Sequence, residues 1–186
     1  MSKMNHVGTR TLETDRLTLR RFLPGDAHAM YENWAGDPDV TKYLTWPTHD
    51  SIDVTAMVLA DWIVHYEQTD FYQWAIVLKD IGIPVGSIGV VNHNDRVGKM
   101  EIGYCIGKQW WRRGITSEAL GAVLRFLLDE VGADRVEACH DSRNPYSGAV
   151  MEKCGMRFEG IHRQAGINNC GKCDMCWHAI LAEDML

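Results

Sequence analysis

Three consecutive stretches between Phe71 and Gly107, FYQWAIVLK, PVGSIGVVNHN and GKMEIGYCIG, read with period two and are separated only by the turn signals DIGI and NDRVG. Connections that short leave no room for a crossover helix, so the three stretches fold as an antiparallel meander. Directly after them the period changes. QWWRRGITSEALGAVLRFLL, from Gln109 to Leu128, starts a helix that sets Leu120, Leu124, Leu127 and Val131 on one stripe, and Gly132 in VGADR suits a left-handed cap at its end. A chain patterned this way must lay a long amphipathic helix against a sheet.

The flanking segments extend both layers. Residues 12–22, LETDRLTLRRF, alternate as a half-buried strand that PGD breaks, and a short helix follows through Trp34. GDPDVTKYLTWPTHDS is rich in turn formers and reads as an ordered connection, and Asp50 or Ser51 caps a helix running to about Glu67. After the long helix come a strand, RVEACHD, a helix from about Asn144 to Lys153 stopped by Cys154 and Gly155, and two strand-like runs, MRFEGIHRQA and DMCWHAILAED. The order β-α-α-β-β-β-α-β-α-β-β predicts an α+β architecture, a mixed sheet with helices on both sides. No internal repeat or linker interrupts it, so residues 1–186 are expected to form one domain.

Bulk properties narrow the partners. With 19 Lys+Arg against 25 Asp+Glu the net charge is −6, which disfavours nucleic acid or an anionic membrane surface and suits a cationic substrate. The opening MSKMNHVGTRTLETDRL shows no charged-then-apolar leader, and no apolar run reaches membrane-spanning length, so a cytoplasmic protein is expected. All six cysteines follow residue 100, and in that compartment they are expected as reduced thiols.

The segment WRRGITSEA is where chemistry first suggests itself. The first amides of a helix lack intrahelical partners and carry about half a unit of positive charge, so they attract phosphate, and a glycine lets a ligand approach the backbone. Taken alone, the segment is equally a helix start beside two solvated arginines. Its company gives it more meaning. The succession MEIGYCIG, WWRRGITSEA, RVEACHDSRN, NPYSGAVMEKCGMRFEG and DMCWHAILAED resembles the GCN5-related N-acetyltransferase (GNAT) superfamily, and within it the Rim-type ribosomal-protein N-terminal acetyltransferases. The resemblance covers nearly the whole chain, from TDRLTLRRF to HAILAED. It implies a mixed, mostly antiparallel sheet that splays between its fourth and fifth strands, with acetyl-CoA as co-substrate. In that family the loop before the long helix follows Gln/Arg-x-x-Gly-x-Gly/Ala, and its amides hold the pyrophosphate. The matching positions here are Trp111, Arg112, Arg113, Gly114, Ile115 and Thr116, of which only the middle glycine fits. Because backbone groups make the contacts, the departures weaken the motif more than the mechanism. Thr116 or Ser117 can add a hydroxyl, and Arg112 and Arg113 can supply charge to phosphate.

Acetyl transfer from a thioester to an amine needs a neutral amine, a polarised carbonyl and a proton for the departing thiolate. The resemblance implies that Tyr104, Cys105 and Ile106 present backbone groups to the thioester and pantetheine, although the same residues also read as plain sheet interior. The tyrosine that many superfamily members use as acid falls at Met151, so that role must move. The Rim-type N-x-x-S pattern falls on Asn144 to Ser147, implying Asn144 as a pantetheine contact and Ser147 as the acid, with Tyr146 in reserve. Asn144 is also a good helix N-cap. For the amine proton the resemblance implies Glu159 in RFEG as base or substrate anchor. Glu101 in MEIGY is the other candidate, and either can be a solvated strand carboxylate. His140 reads as a packed histidine. Tyr43 and Trp46 lie in the loop where relatives build the acceptor pocket, and they wall a site for a peptide N-terminus or small amine, or else anchor the loop to the core. A homodimer is the expected assembly.

CGKCDMC, with Cys170, Cys173 and Cys176 near His162 and His178, has the composition of a zinc or iron–sulfur site. Period-two patterning turns Cys173 away from Cys176, and a further cysteine at cluster spacing is missing, so no metal is expected there. Besides an N-acetyltransferase working by direct transfer, two other classes fit: a non-catalytic acyl-CoA-binding or regulatory protein, as Met151 in place of tyrosine suggests, and a metal or redox module on the cysteine run.

Overall fold

The computed structural model describes residues 4–185. Eight strands form one sheet: β1 (Leu12–Glu13), β2 (Leu17–Arg20), β3 (Gln73–Leu78), β4 (Pro84–Asn94), β5 (Lys99–Ile106), β6 (Arg135–Asp141), β7 (Arg157–Asn168) and β8 (Gly171–Leu181), in the order β1-β2-β3-β4-β5-β6-β8-β7. Every neighbouring pair is antiparallel except β5 and β6. The helices are α1 (Ala27–Met30), flanked by a 3-10 turn and a π turn, α2 (Pro38–Thr41), α3 (Ile52–His65), α4 (Ile115–Arg125), which runs on into a π turn, and α5 (Pro145–Lys153).

Strand alternation divides the apolar residues into two cores. On β3, Trp74, Ile76 and Leu78 pack with Leu120, Val123, Leu124 and Leu127 of the α4 segment, while Ala75 and Val77 pack with Met30, Trp34 and Leu59 of the α1–α3 layer. The expected α+β sandwich is therefore present, with α4 and α5 on one face and α1 to α3 on the other. Ser51 caps α3 by accepting from the Val54 amide, and Gly132 takes φ +75° after the long helix. Among the described residues no helix is long and apolar enough to cross a membrane.

Three boundaries differ from the sequence expectation. The strand expected over residues 12–22 is two strands, because the Thr14 hydroxyl and amide both bond to Leu17 and fold the chain back so that Leu12 faces Leu19. The connection after Trp34 contains α2: the Asp37 carboxylate accepts from the Asp39 amide at 2.8 Å and Pro38 takes the first helical position. The last two runs form one hairpin in which β7 extends three residues past its pattern and β8 both starts and ends three residues before its own, interrupted by irregular register between His162 and Gly166, where Gln164 adopts φ +52°.

The relation of β5 to β6 positions the site. They pair only at Lys99–Glu101 against Arg135–Glu137. Beyond that point β5 stays with β4 through Ile106, and β6 stays with β8 through Asp141, so the two strands part. These are the fourth and fifth strands of the expected order, displaced by one because of the two-residue β1.

Candidate active site

Two consecutive features open the turn that leads from β5 into α4. Gly114 sits at the N-cap with φ +73° and Arg112 has φ +60°, a conformation unusual for a side-chain-bearing residue. Gly114 offers no capping side chain, and the amides of Ile115, Thr116 and Ser117 begin the helix without partners inside it. An open depression of about 560 Å³ lies against this end, lined by Arg16, Arg113, Gly114, Ser117, Arg125 and Lys153 among others. A Cβ on Gly114 would stand 3.6 Å from Arg16 Nη2 and 3.7 Å from Lys153 Nζ, so both cations face the bare backbone. Arg16 is braced there: its Nη1 donates to the Arg113 carbonyl at 3.0 Å and its Nε to Glu118 at 2.6 Å. Sequence reasoning missed Arg16 and Lys153. No local pattern marks them, because only the fold brings residues near both ends of the chain to one turn.

The other residues singled out in this turn divide by role. Ile115 points into the core, so only its amide is available, and Trp111 donates its indole N–H to the Ile106 carbonyl at 2.9 Å, fixing the turn to β5. Thr116 is half-buried outside the depression, whereas Ser117 lines it. Arg112 turns to α5, where its guanidinium lies 4.6 Å above the Tyr146 ring and donates to the Tyr146 hydroxyl at 2.6 Å. Tyr146 is thereby engaged and exposed.

Where β5 and β6 part, side chains bridge the opening. Tyr104, directed to the α4–α5 face, donates its hydroxyl to the Ser147 carbonyl at 2.9 Å and lies 3.1 Å from Ser147 Oγ. Burial raises the Tyr104 pKa well above the ordinary phenol value, so the phenol stays protonated. Asn144 precedes α5 but its side chain makes no capping bond, leaving the carboxamide for another partner. Met151 is fully buried in the main core and cannot replace the absent tyrosine. His140 is packed against Gly148, its Nδ1 lies 2.9 Å from the Asp141 carbonyl, and burial lowers its pKa, as a packed histidine requires.

The two candidate carboxylates differ sharply. Glu159 is exposed and paired with Arg135 through contacts of 2.9 and 2.5 Å, and that pairing holds its pKa below the usual range. Glu101 is half-buried on β5 where the strands begin to part. Burial, then the neighbouring Glu137 carboxylate, raises its pKa, and among the described residues no cation is paired with it, since Lys99 and Arg135 both go to Glu137. The environment of a general base surrounds Glu101 and not Glu159. Beside Glu101, Cys139 Sγ lies 3.8 Å from Oε1, and burial followed by that carboxylate pushes the thiol up to about 12. Cys105, hydrogen-bonded to Ser87, is pushed by burial to about 11. Neither thiol supplies a thiolate nucleophile near neutral pH.

The loop carrying Tyr43 and Trp46 is strapped to the β7–β8 turn. Asn169 Nδ2 donates to the carbonyls of Thr41 and Trp46 at 2.8 Å each, and its amide donates to Leu44. Trp46 also packs on the second core beside His49, so it anchors the loop, while Tyr43 is half-buried under the Lys42 ammonium. The cysteine run does not assemble: all six cysteines are free, Cys173 and Cys176 lie on opposite faces of β8, and Cys170 donates to the Lys42 carbonyl.

Residues 16–157 match the acetyltransferase (GNAT) domain family. The uncharacterized N-acetyltransferase YoaA of Bacillus subtilis (strain 168) is 30% identical over 153 residues, covering 82% of this chain and 86% of that protein. A second protein of that organism, named "Putative ribosomal N-acetyltransferase YdaF", is 27% identical over 173 residues, 91% of this chain and 93% of its own length. Among solved structures, a GNAT-family acetyltransferase from Bacillus anthracis superposes with a TM-score of 0.82 at 26% identity, over 94% of this chain and 99% of that one. Members of this family use acetyl-CoA as the acetyl donor.

Proposed function

The chain belongs to the GNAT acetyltransferase family, and from that premise we propose that it carries an acetyl group from acetyl-CoA to a primary amine, a protein N-terminus or a small amine, by direct transfer in a ternary complex. One observation carries the assignment of the site: the uncapped start of α4, with φ +73° at Gly114, faces a depression where Arg16, Arg113 and Lys153 converge. The first amides of α4 bind the diphosphate and the three cations neutralise it, or a ribose phosphate beside it. Asn144, uncommitted as a cap, bonds to the pantetheine arm, and the β6-facing backbone edge of Gly103–Ile106, left without a strand partner, aligns and polarises the thioester.

Glu101 takes the proton that makes the amine nucleophilic. The nitrogen lone pair forms the new N–C bond as the C–S bond breaks, and the departing sulfur takes a proton from Ser147 Oγ, which solvent restores. Ser147 is held for this by Tyr104. The raised pKa values of Cys105 and Cys139 support direct attack over an acyl-enzyme. Tyr43 and the Asn169-strapped loop flank the acceptor side, and the negative overall charge suits an amine that arrives as a cation. Both terminal regions belong to the same sheet, through β1 and the β7–β8 hairpin, which supports one acetyltransferase domain. The free thiols suit the cytoplasm.

Incubating the protein with acetyl-CoA and a panel of amines and N-terminal peptides, with coenzyme A thiol as the readout, tests the proposal. Amine-dependent thiol release and an acceptor heavier by one acetyl group are expected. Binding of acetyl-CoA with no release across the panel would instead favour a non-catalytic acyl-CoA-binding protein.

A further inference from the structure

At the end of β5 away from the opening, two imidazoles converge on one carboxylate oxygen. His6 Nε2 lies 3.4 Å and His93 Nδ1 2.9 Å from Asp95 Oδ1, and the two rings are 5.2 Å apart between centroids. The donor atoms of the three residues all lie within 4.8 Å of one another. Each imidazole is also faced from behind. His6 Nδ1 is 3.1 Å from the Tyr72 hydroxyl, and His93 Nε2 is 3.8 Å from Asp70 Oδ2. The Tyr72 hydroxyl bonded to the far nitrogen of His6 aims its near one, which is how ligand histidines are oriented at metal sites, while Asp70 faces the far nitrogen of His93 beyond hydrogen-bond distance.

A simple ion pair would account for one histidine on Asp95. A second histidine on the same oxygen adds a convergence of three ligand atoms within 4.8 Å of one another. The observed separations of 2.9 and 3.4 Å instead approach the edge of a tetrahedron built on metal–nitrogen and metal–oxygen bonds of about 2.0–2.2 Å, an edge of about 3.4 Å. Asp95 is exposed, leaving a fourth position to water. Two imidazoles with one carboxylate favour zinc and similar first-row ions over magnesium or calcium.

We propose that His6, His93 and Asp95 bind a divalent first-row metal ion, zinc foremost, which clamps the segment before β1 to the β4–β5 turn. That segment is also tied by the Asn5 and Gly8 amides to the Val131 and Thr69 carbonyls, by the Val7 amide to the Tyr72 hydroxyl and by bonds at Thr9 and Arg10, with Met4 in the main core, and the metal adds a tie at its one imidazole. A metal joining residues 89 positions apart stabilises the folded chain by mass action, because the unfolded chain presents no such convergence. The site is separate from the acetyl-transfer residues and owes nothing to the cysteine run.

The test uses tag-free protein, stripped with chelator and titrated with Co²⁺ under reducing conditions. One equivalent should bind with visible ligand-field bands and without the near-ultraviolet charge-transfer absorption of cobalt thiolate. Zn²⁺ should displace it and raise the melting temperature. His93→Ala and, separately, the milder Asp95→Asn should abolish saturable Co²⁺ binding and the Zn²⁺-dependent rise, while amine acetylation in metal-free buffer stays at the wild-type rate. Absence of saturable binding, a thiolate band, or undiminished binding in Asp95→Asn would each overturn the proposal.

Discussion

Tyr104 on the fifth strand and Ser147 in the first turn of α5 are joined by the phenol, which donates to the serine carbonyl at 2.9 Å and stands 3.1 Å from its hydroxyl oxygen. The contact spans the place where β5 and β6 part, so the serine is oriented by the strand whose backbone is proposed to meet the thioester. Ser147→Ala should lower kcat by about 10²-fold, the low end of what a positioned general acid supplies. Acetyl-CoA affinity should change little. Tyr104→Phe should lower kcat less, since it loosens the serine without removing it. Steady-state kinetics with direct acetyl-CoA titration separate these effects, and unchanged turnover in Ser147→Ala would remove the serine from the chemistry.

Arg16 and Lys153 make a second prediction. Removing either cation with alanine should weaken coenzyme A binding by about tenfold, corresponding to about 1.4 kcal/mol for one charge-assisted contact. Gly114→Glu should abolish binding, because a side chain is strained at φ +73° and its carboxylate would occupy the two cations meant for phosphate. Calorimetric titration of coenzyme A checks all three variants.

Glu101 and Glu159 are separated by pH. A base must be ionised to work, so activity falls as pH drops through the pKa of the essential carboxylate. With Glu101 raised by burial and Glu137, the acid limb of kcat/KM should lie above the ordinary carboxylate value of about 4.3. Glu101→Gln should lower kcat by about 10²-fold and remove that limb. Glu159→Gln should leave the profile intact, since it breaks only the exposed pair with Arg135. Cys139→Ala should retain turnover.

Asp141 contributes to stability with a definite sign. Its carboxylate accepts from Arg143 Nη2 at 2.6 Å, from the Arg143 amide at 2.8 Å and from Asn168 Nδ2 at 2.7 Å, and the arginine first of all lowers its pKa. A group with a depressed folded pKa contributes fully above its unfolded value and loses the contribution as pH falls toward the folded one. The melting-temperature gap between wild type and Asp141→Asn should therefore be widest near neutrality and shrink below about pH 4.

How far the sequence spoke for itself varies by element. The meander through Gly107, the apolar stripe of α4 and the glycine entering it are local patterns, and each appears where periodicity and turn chemistry put it. The splitting of β1 from β2 depends on one threonine folding onto Leu17, and α2 on one aspartate cap, both too short to stand out from turn-rich surroundings. At the site, proximity was the missing information. The resemblance placed Glu159 first, yet Arg135, 24 residues earlier, neutralises it, while Glu101 is left alone because Glu137 holds both nearby cations. Arg16 reaches the Gly114 turn from the far end of the chain, and the histidines at 6 and 93 meet only once the sheet has formed. Such pairings are properties of topology, and no window along the chain contains them.

Bare main-chain donors at the start of α4 are proposed to grip the diphosphate of the acetyl donor. A crystal structure with coenzyme A bound tests it most directly. The diphosphate should lie within hydrogen-bonding distance of the amides following Gly114, with Arg16 and Lys153 at its sides and the pantetheine arm running along Gly103–Ile106. A diphosphate seated elsewhere, with those amides facing only water, would contradict the account.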